Sequence, residues 1–223
     1  ASGAMAPAYT SIVGGGKNGC ILHYIENREK INNGDLVLID AGCEYENYAA
    51  DITRTFPVNG KFGREQAAIY DIVLEAQIQA MASIAPGAAY NIANQTTIAI
   101  ITQGLRDLGI LDGDVSELIE QHACKEFYMH SSGHWLGMDV HDVGDYQSNE
   151  QRQQRRPFEP GMVITIEPGI YIPSCGELAD TVEEKWRGIA VRIEDDMLVT
   201  KTGCENLTSE VPSARNEIEQ LMA

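Results

Sequence analysis

The apolar positions of this chain change period twice. Leu36, Val37, Leu38 and Ile39 form a short continuous apolar run behind an Asn33-Gly34 turn, which predicts a buried strand over 36–39. Residues 48–58 read as a second strand, closed by Asn59-Gly60. Then Ile69, Ile72, Val73, Ala76, Ala80 and Ile84 recur at helical spacing until Pro86-Gly87 stops them. A second helix is predicted over 92–108, ending at Gly109. Asp114 and Glu117 have capping-box spacing for a third. After His130 the short apolar runs return, predicting strands over 163–166, 170–172 and 189–200. Residues 147–156 are polar and read as a surface loop. Strands, then helices, then strands predict an α+β domain with a mixed or antiparallel sheet.

Within this pattern the chain echoes itself. GDLVLIDAG at 34–42 and GMVITIEPG at 161–169 each run from Gly through a short apolar strand to an acid six residues on, then one residue and another Gly. Asp51 lies nine residues before Gly60, and Glu194 nine residues before Gly203. Each half therefore offers one acid at the end of a buried strand, Asp40 or Glu167, and a second at the start of the next, Asp51 or Glu194. A carboxylate at the end of an apolar run is costly to desolvate and needs a cation, a dense hydrogen-bond shell or a raised pKa. Taken singly, each acid could be a turn residue or an ion-pair partner. Four in register point to convergence near a pseudo-twofold axis, where divalent ions would offset their repulsion.

Five histidines occur, and three fall in HSSGHWLGMDVHD at 130–142. The spacing is not HExxH, so a helical zinc-protease site is excluded. One imidazole beside four carboxylates makes an oxygen-rich set that favours Mn²⁺ or Co²⁺, with Zn²⁺ as the alternative. The stretch SIVGGGKN at 11–18 is glycine-rich but does not match a phosphate loop, so it reads as a plain loop.

The length of 223 residues allows one large domain or two small ones. A net charge of −17 argues against nucleic-acid binding; most of the excess acid serves solubility, with a minority free to hold a hard cation. Five widely spaced cysteines without a CxxC pair fit a reduced, cytoplasmic protein. No apolar run is long enough to cross a membrane, and the first eight residues lack the basic start and apolar stretch of a signal peptide.

LIDAG at 38–42, ADITRTFPVNGKF at 50–62, GHWLGMDVHDVG at 133–144, EPGMVITIEPGIYI at 159–172 and RGIAVRIEDDMLVT at 187–200 resemble the pita-bread metallopeptidases, with wording nearest to bacterial-type aminopeptidase P. The resemblance runs from about Tyr9 to Met222. It implies one catalytic domain over 1–223, a curved sheet covered by helices, and the absence of the family's N-terminal domain and opening helical segment. It further implies two divalent ions. Asp40 would hold one alone, Asp51 and Glu194 would bridge both, and His134 and Glu167 would complete the other. His23, His130 and His141 match imidazoles that contact substrate or support the ligands, Arg192 matches an arginine beside the metal carboxylates, and His122 matches nothing. The activity implied is release of an N-terminal residue from peptides with proline second, by a hydroxide shared between the ions, with Glu167 relaying the proton and a homo-oligomer as the full-length assembly. A dipeptide-cutting prolidase and a non-catalytic pita-bread binding module are the alternatives. Trp135 and Tyr171 are candidate pocket walls, with ordinary core aromatics as the favoured reading.

Overall fold

The computed structural model describes residues 3–148 and 154–223. Its first half contains β1 (Ala6–Pro7), β2 (Ile12–Gly15), β3 (Leu36–Asp40), β4 (Cys43–Tyr45), β5 (Tyr48–Ala49) and β6 (Thr53–Pro57). Helices α1 (Arg64–Ala82), α2 (Ile92–Asp107) and α3 (Val115–Glu120) follow. The second half holds β7 (Val163–Ile166), β8 (Gly169–Tyr171), α4 (Glu177–Asp180), β9 (Ala190–Arg192), β10 (Asp195–Val199), β11 (Cys204–Asn206) and α5 (Arg215–Leu221). Asp114 caps α3, accepting hydrogen bonds from the backbone N–H groups of Ser116 and Glu117.

All strand pairs are antiparallel, and the two halves repeat one plan. β3 sits between β2 and β6, with Ile12 opposite Asp40 and Asp40 opposite Thr53. β7 pairs with β10 on one side. On its other side lies the 132–136 segment, through Glu167 N–H to Ser132 O at 2.8 Å and Thr165 N–H to His134 O at 2.9 Å. Ser132–Glu167 thus repeats Ile12–Asp40. The β7–β10 register is offset by two residues from the echo of β3–β6, and an even offset keeps every side chain on its face. An isolated antiparallel bridge between Thr53 and Glu194 joins the halves.

The expected strand over 48–58 is two strands, β5 and β6, separated where the backbone N–H of Asp51 turns to Asp196 Oδ2. The expected strand over 189–200 is likewise β9 and β10. Between them Ile193 N–H bonds Pro168 O while Glu194 N–H bonds Thr53 O, so Glu194 leaves one half to pair with the other. Both breaks place a ligand-type acid where strand pairing changes partner. The expected loop over 11–18 is β2 followed by a 3-10 turn, Gly16–Cys20; β3 supplies a pairing edge that glycine content hides. Residues 149–153 of the expected polar loop lie outside the described residues.

α1 and α2 pack together and onto the second-half strands. One core cluster joins Ile69, Tyr70, Val73 and Ala76 of α1 to Ile101 and Leu105 of α2 and to Ile170, Val191 and Ile193. Each fully buried aliphatic of this kind contributes roughly 1.5–3 kcal/mol over its exposed state. A second cluster, with Ile84, Trp135, Phe158, Ile164, Ile166, Met197 and Val199, backs β7 and β10. No described helix is long and apolar enough to cross a membrane.

Candidate metal centre

The acids of the echo meet in one pocket of about 650 Å³, lined by Asp40, Asp51, His134, Glu167 and Glu194 together with His23, His130, His141 and Arg192. That volume suits a small peptide. β3 delivers Asp40 at its last residue, the 50–52 break delivers Asp51, the 132–136 segment His134, the end of β7 Glu167, and the β9–β10 break Glu194. Two glycines allow the close packing this needs. A Cβ on Gly42 would fall 1.5 Å from Ala50 O, and one on Gly133 would fall 2.0 Å from Thr165 O. Any side chain there would displace a ligand strand.

Ligand atoms of Asp51, His134 and Glu194 all lie within 4.8 Å of one another. His134 Nδ1 lies 2.8 Å from Trp135 O, so it carries the proton there and leaves Nε2 with a lone pair. That Nε2 sits 3.4 Å from Asp51 Oδ2 and 3.5 Å from Glu167 Oε1. Burial pulls the imidazole down, but the Asp51 contact and the Glu167 charge outweigh it and hold His134 above its ordinary pKa. Thr53 Oγ1 donates to Glu194 Oε2 at 2.6 Å, while Glu194 Oε1 is buried with no hydrogen-bond partner among the described residues. Burial, then the neighbouring carboxylates, push Glu194 well above the usual carboxylate range, and burial also raises Glu167. An orphaned buried oxygen, a lone pair aimed between two acids, and acids that resist ionising as a group are what a divalent cation relieves. The donor set fits.

Asp40 stands apart from that triad. Arg192 Nη2 donates to its Oδ2 at 2.6 Å, and the Tyr9 hydroxyl lies 2.5 Å from both Asp40 Oδ1 and Asp51 Oδ1. The single phenolic proton serves one carboxylate at a time, and burial with the two acids raises Tyr9 far above a normal phenol. Arg192 is 3% exposed and also donates to Tyr171 OH at 3.1 Å.

His130 Nδ1 donates to Ser131 O at 2.8 Å, so Nε2 accepts from Tyr171 OH at 2.7 Å. Burial, reinforced by Arg192, pulls His130 down to about 4, keeping it neutral. His141 stacks near His134 with ring centroids 4.1 Å apart and is lowered, first by burial. His23 is exposed at the pocket wall, and His122 is exposed away from it. Trp135 and Tyr171 belong to the core rather than to the pocket lining. The sequence singled out neither Tyr9 nor the hydroxyls of Thr53 and Thr165. Thr53 carried one signal, its place two residues after Asp51; Tyr9 carried none.

Comparison with known proteins places the chain among metallopeptidases. The model of metallopeptidase family M24 matches residues 1–201. The Xaa-Pro aminopeptidase of Haemophilus influenzae is 58% identical over 216 residues, covering 97% of this chain and 48% of that protein. Among solved structures, aminopeptidase PepP of Pseudomonas aeruginosa superposes with a TM-score of 0.95 at 58% identity, covering 99% of this chain and 48% of that one. Aminopeptidase P from E. coli, solved with the inhibitor Pro-Leu, gives 0.92 at 54% identity, with 99% and 48% covered. This chain has the pita-bread fold of those catalytic domains. It spans about half the length of the curated relatives it matches.

Proposed function

The chain belongs to metallopeptidase family M24, and from that premise we propose that it forms the catalytic part of a metal-dependent Xaa-Pro aminopeptidase, cutting the bond between an N-terminal residue and a following proline. The observation that carries this reading is the convergence of Asp40, Asp51, His134, Glu167 and Glu194 in one pocket of a chain 58% identical to a protein of that name. The resemblance implies two ions: Asp40 would hold one alone, Asp51 and Glu194 would be shared by both, and His134 with Glu167 would complete the second. The carboxylate-rich set favours Mn²⁺, with Co²⁺ or Zn²⁺ as alternatives. When bound, the pair supplies Lewis-acid polarisation and lowers the pKa of water.

The chain's own groups do the rest. Glu167, at the end of β7 beside His134, takes the proton from the attacking water as oxygen adds to the scissile carbonyl carbon. It returns that proton to the proline nitrogen as the C–N bond breaks. His23 and His141 stand at the wall where a carbonyl oxygen accumulating charge needs a donor. Neutral His130, fixed by Tyr171 and in turn by Arg192, gives one face of the pocket a set orientation. Proline offers no backbone N–H, so selection for it rests on ring shape against such fixed walls. Five free thiols support a reducing, cytoplasmic setting, and the full-length polypeptide is expected to be a homo-oligomer.

The test is metal content by elemental analysis together with release of the first residue from an Arg-Pro-Pro peptide on adding Mn²⁺. About two ions per chain and metal-restored release are expected. Turnover of Xaa-Pro dipeptides alone would replace this reading with a prolidase. A full-length protein with neither metal nor turnover would overturn it.

A further inference from the structure

The residue two places after each bridging-type acid reaches across to the other half. Thr53 follows Asp51 by two, and its Oγ1 donates to Glu194 Oε2 at 2.6 Å, while Thr53 O accepts from Glu194 N–H at 3.0 Å. Asp196 follows Glu194 by two, and its Oδ2 accepts the backbone N–H of Asp51 at 3.2 Å. Both residues are buried, Thr53 at 0% and Asp196 at 4% exposure. In the chain's internal repeat the two positions are equivalent, since Asp51 and Glu194 are. The contacts run both ways across the halves: Thr53 holds Glu194 by its carboxylate and its backbone, and Asp196 holds Asp51 by its backbone N–H.

We infer that Thr53 and Asp196 form a cross-brace over the pseudo-twofold axis that fixes the separation of the Asp51 and Glu194 carboxylates, and so makes the centre take up two ions rather than one.

Three features favour bracing over ordinary core hydrogen bonding. First, Thr53 touches Glu194 with both main chain and side chain, which sets the position of its backbone and the rotation of its carboxylate together. Second, the remaining Glu194 oxygen has no partner among the described residues, so Thr53 fixes one oxygen and leaves the other for a cation. Third, Asp196 is itself held from behind. Its N–H donates to Thr208 Oγ1 at 3.1 Å, and Thr208 Oγ1 donates to Asp195 Oδ1 at 2.5 Å. Asp195 in turn accepts from Arg54 Nη2 at 2.7 Å and Gln77 Nε2 at 2.9 Å, and Arg54 Nη1 donates to Glu194 O at 2.6 Å. The brace is thus continuous with a buried network tying α1 to β6 and β10. Neither Thr53 nor Asp196 is among the pocket-lining residues, so both act through the acids they hold and are positioning residues.

The inference rests on the metal reading above, and its test separates the two. Stepwise Mn²⁺ affinities are measured by titration calorimetry on the full-length protein, with electron paramagnetic resonance to distinguish a coupled pair from isolated ions. The wild type is expected to bind two ions with a coupled spectrum. Thr53→Val keeps the shape and removes the donor, and Asp196→Ala removes the acceptor. Each is expected to weaken the second ion by about 10–100-fold and to convert the spectrum to isolated Mn²⁺. Thr53→Ser and Asp196→Asn, which restore donor and acceptor, should stay within roughly threefold of wild type on the same scale. A purely structural role would lower the unfolding temperature of the variants and leave both affinities and the spectrum unmoved, and that result overturns the cross-brace. Should Asp196→Ala fail to fold, the Thr53→Val and Thr53→Ser pair decides alone. A wild type that binds no metal overturns the metal reading and the cross-brace with it; two ions bound equally well by wild type and Thr53→Val overturns the cross-brace only.

Discussion

The two halves bring matching strand-end acids to the centre and neutralise them differently. Asp40, from the first half, is met by a permanent cation: Arg192 lies 2.6 Å from one oxygen and Tyr9 covers the other. Glu167, its counterpart, has no guanidinium in contact among the described residues; it is met by His134 at 3.5 Å, His130 at 3.7 Å and the Thr165 hydroxyl, which donates to Oε1 at 3.4 Å. The strand beside Asp40 has Gly14 where the segment beside Glu167 has His134, since Ser132 repeats Ile12. The internal repeat supplies the carboxylates, and the difference at one neighbouring strand supplies an imidazole to one side alone. Burial raises Asp40 and Arg192 opposes that rise, whereas Glu167 is paired with imidazoles that can themselves exchange protons.

The comparison breaks most sharply where the halves share ligands. Asp51→Ala or Glu194→Ala removes a group belonging to both sides. Either is expected to abolish bound metal and lower Mn²⁺-dependent turnover by more than about 10⁴-fold, beyond what loss of one acid–base group costs. The apo fold should persist, because the apolar clusters around Ile69 and Ile164 are untouched. Metal analysis and circular dichroism check both halves of that statement, and near-normal turnover would refute a bridging role. Next comes Glu167→Gln, which spares the Asp51–His134–Glu194 triad. It should cut turnover by about 10²–10⁴-fold while retaining at least one ion, a split that Asp40→Asn does not reproduce if only the Glu167 side moves protons.

Arg192→Met tests the fixed side. It leaves Asp40 buried without its cation, an omission that costs about 3–5 kcal/mol in the metal-free protein. Urea unfolding with and without Mn²⁺ should show the loss shrinking once an ion replaces the guanidinium. The pH dependence of the metal-free protein draws on both sides. Asp40, Glu167 and Glu194 all have raised native pKa values, so the folded metal-free protein binds more protons than the unfolded chain above their ordinary values of 3.8 and 4.5. Their stabilising effect is full below those values and is lost as pH rises towards neutrality. His134, also raised, acts in the same direction: its contribution is complete below 6.5 and fades above it. His130, lowered to about 4, acts the other way up to 6.5. The raised acids outnumber it, so apo stability should fall from acid to neutral pH, and saturating Mn²⁺ should flatten or reverse the slope. A flat apo profile would mean that the cluster of acids is relieved by some other route.

Much of this centre was legible before any coordinates. The echo selected Asp40, Asp51, Glu167 and Glu194 because two similar halves share their spacing, and spacing is readable in a single sequence. α1, α2 and the Asp114 cap followed from period and capping chemistry. The breaks at 50–52 and 193–194 did not, because the residues there keep strand-like character. What ends each strand is a change of partner, and partners are not encoded locally. β2 was hidden for the same reason: Gly14 and Gly15 have poor strand propensity, and pairing with β3 overrides it. Tyr9 was invisible because a phenol 31 and 42 residues from the acids it contacts leaves no periodic trace.

Tyr9 also gives the smallest and most discriminating effect. Its hydroxyl reaches Asp40 and Asp51 together, so in the metal-free protein it partly does an ion's work, lending one proton to two oxygens that face each other. Removing a hydrogen bond to a charged group costs about 1.5–3 kcal/mol. Tyr9→Phe should lower apo stability by that amount. Once an ion occupies the same oxygens, the phenol adds little that the cation does not already supply, so the loss should fall below about 1 kcal/mol. Thermal unfolding at matched pH, with and without Mn²⁺, measures both numbers. An equal loss in the two states would place the value of Tyr9 in packing rather than in charge. The Asp40 side would then depend on Arg192 alone for its compensation, and the contrast between an acid met by a permanent cation and one met by imidazoles would rest on a single guanidinium.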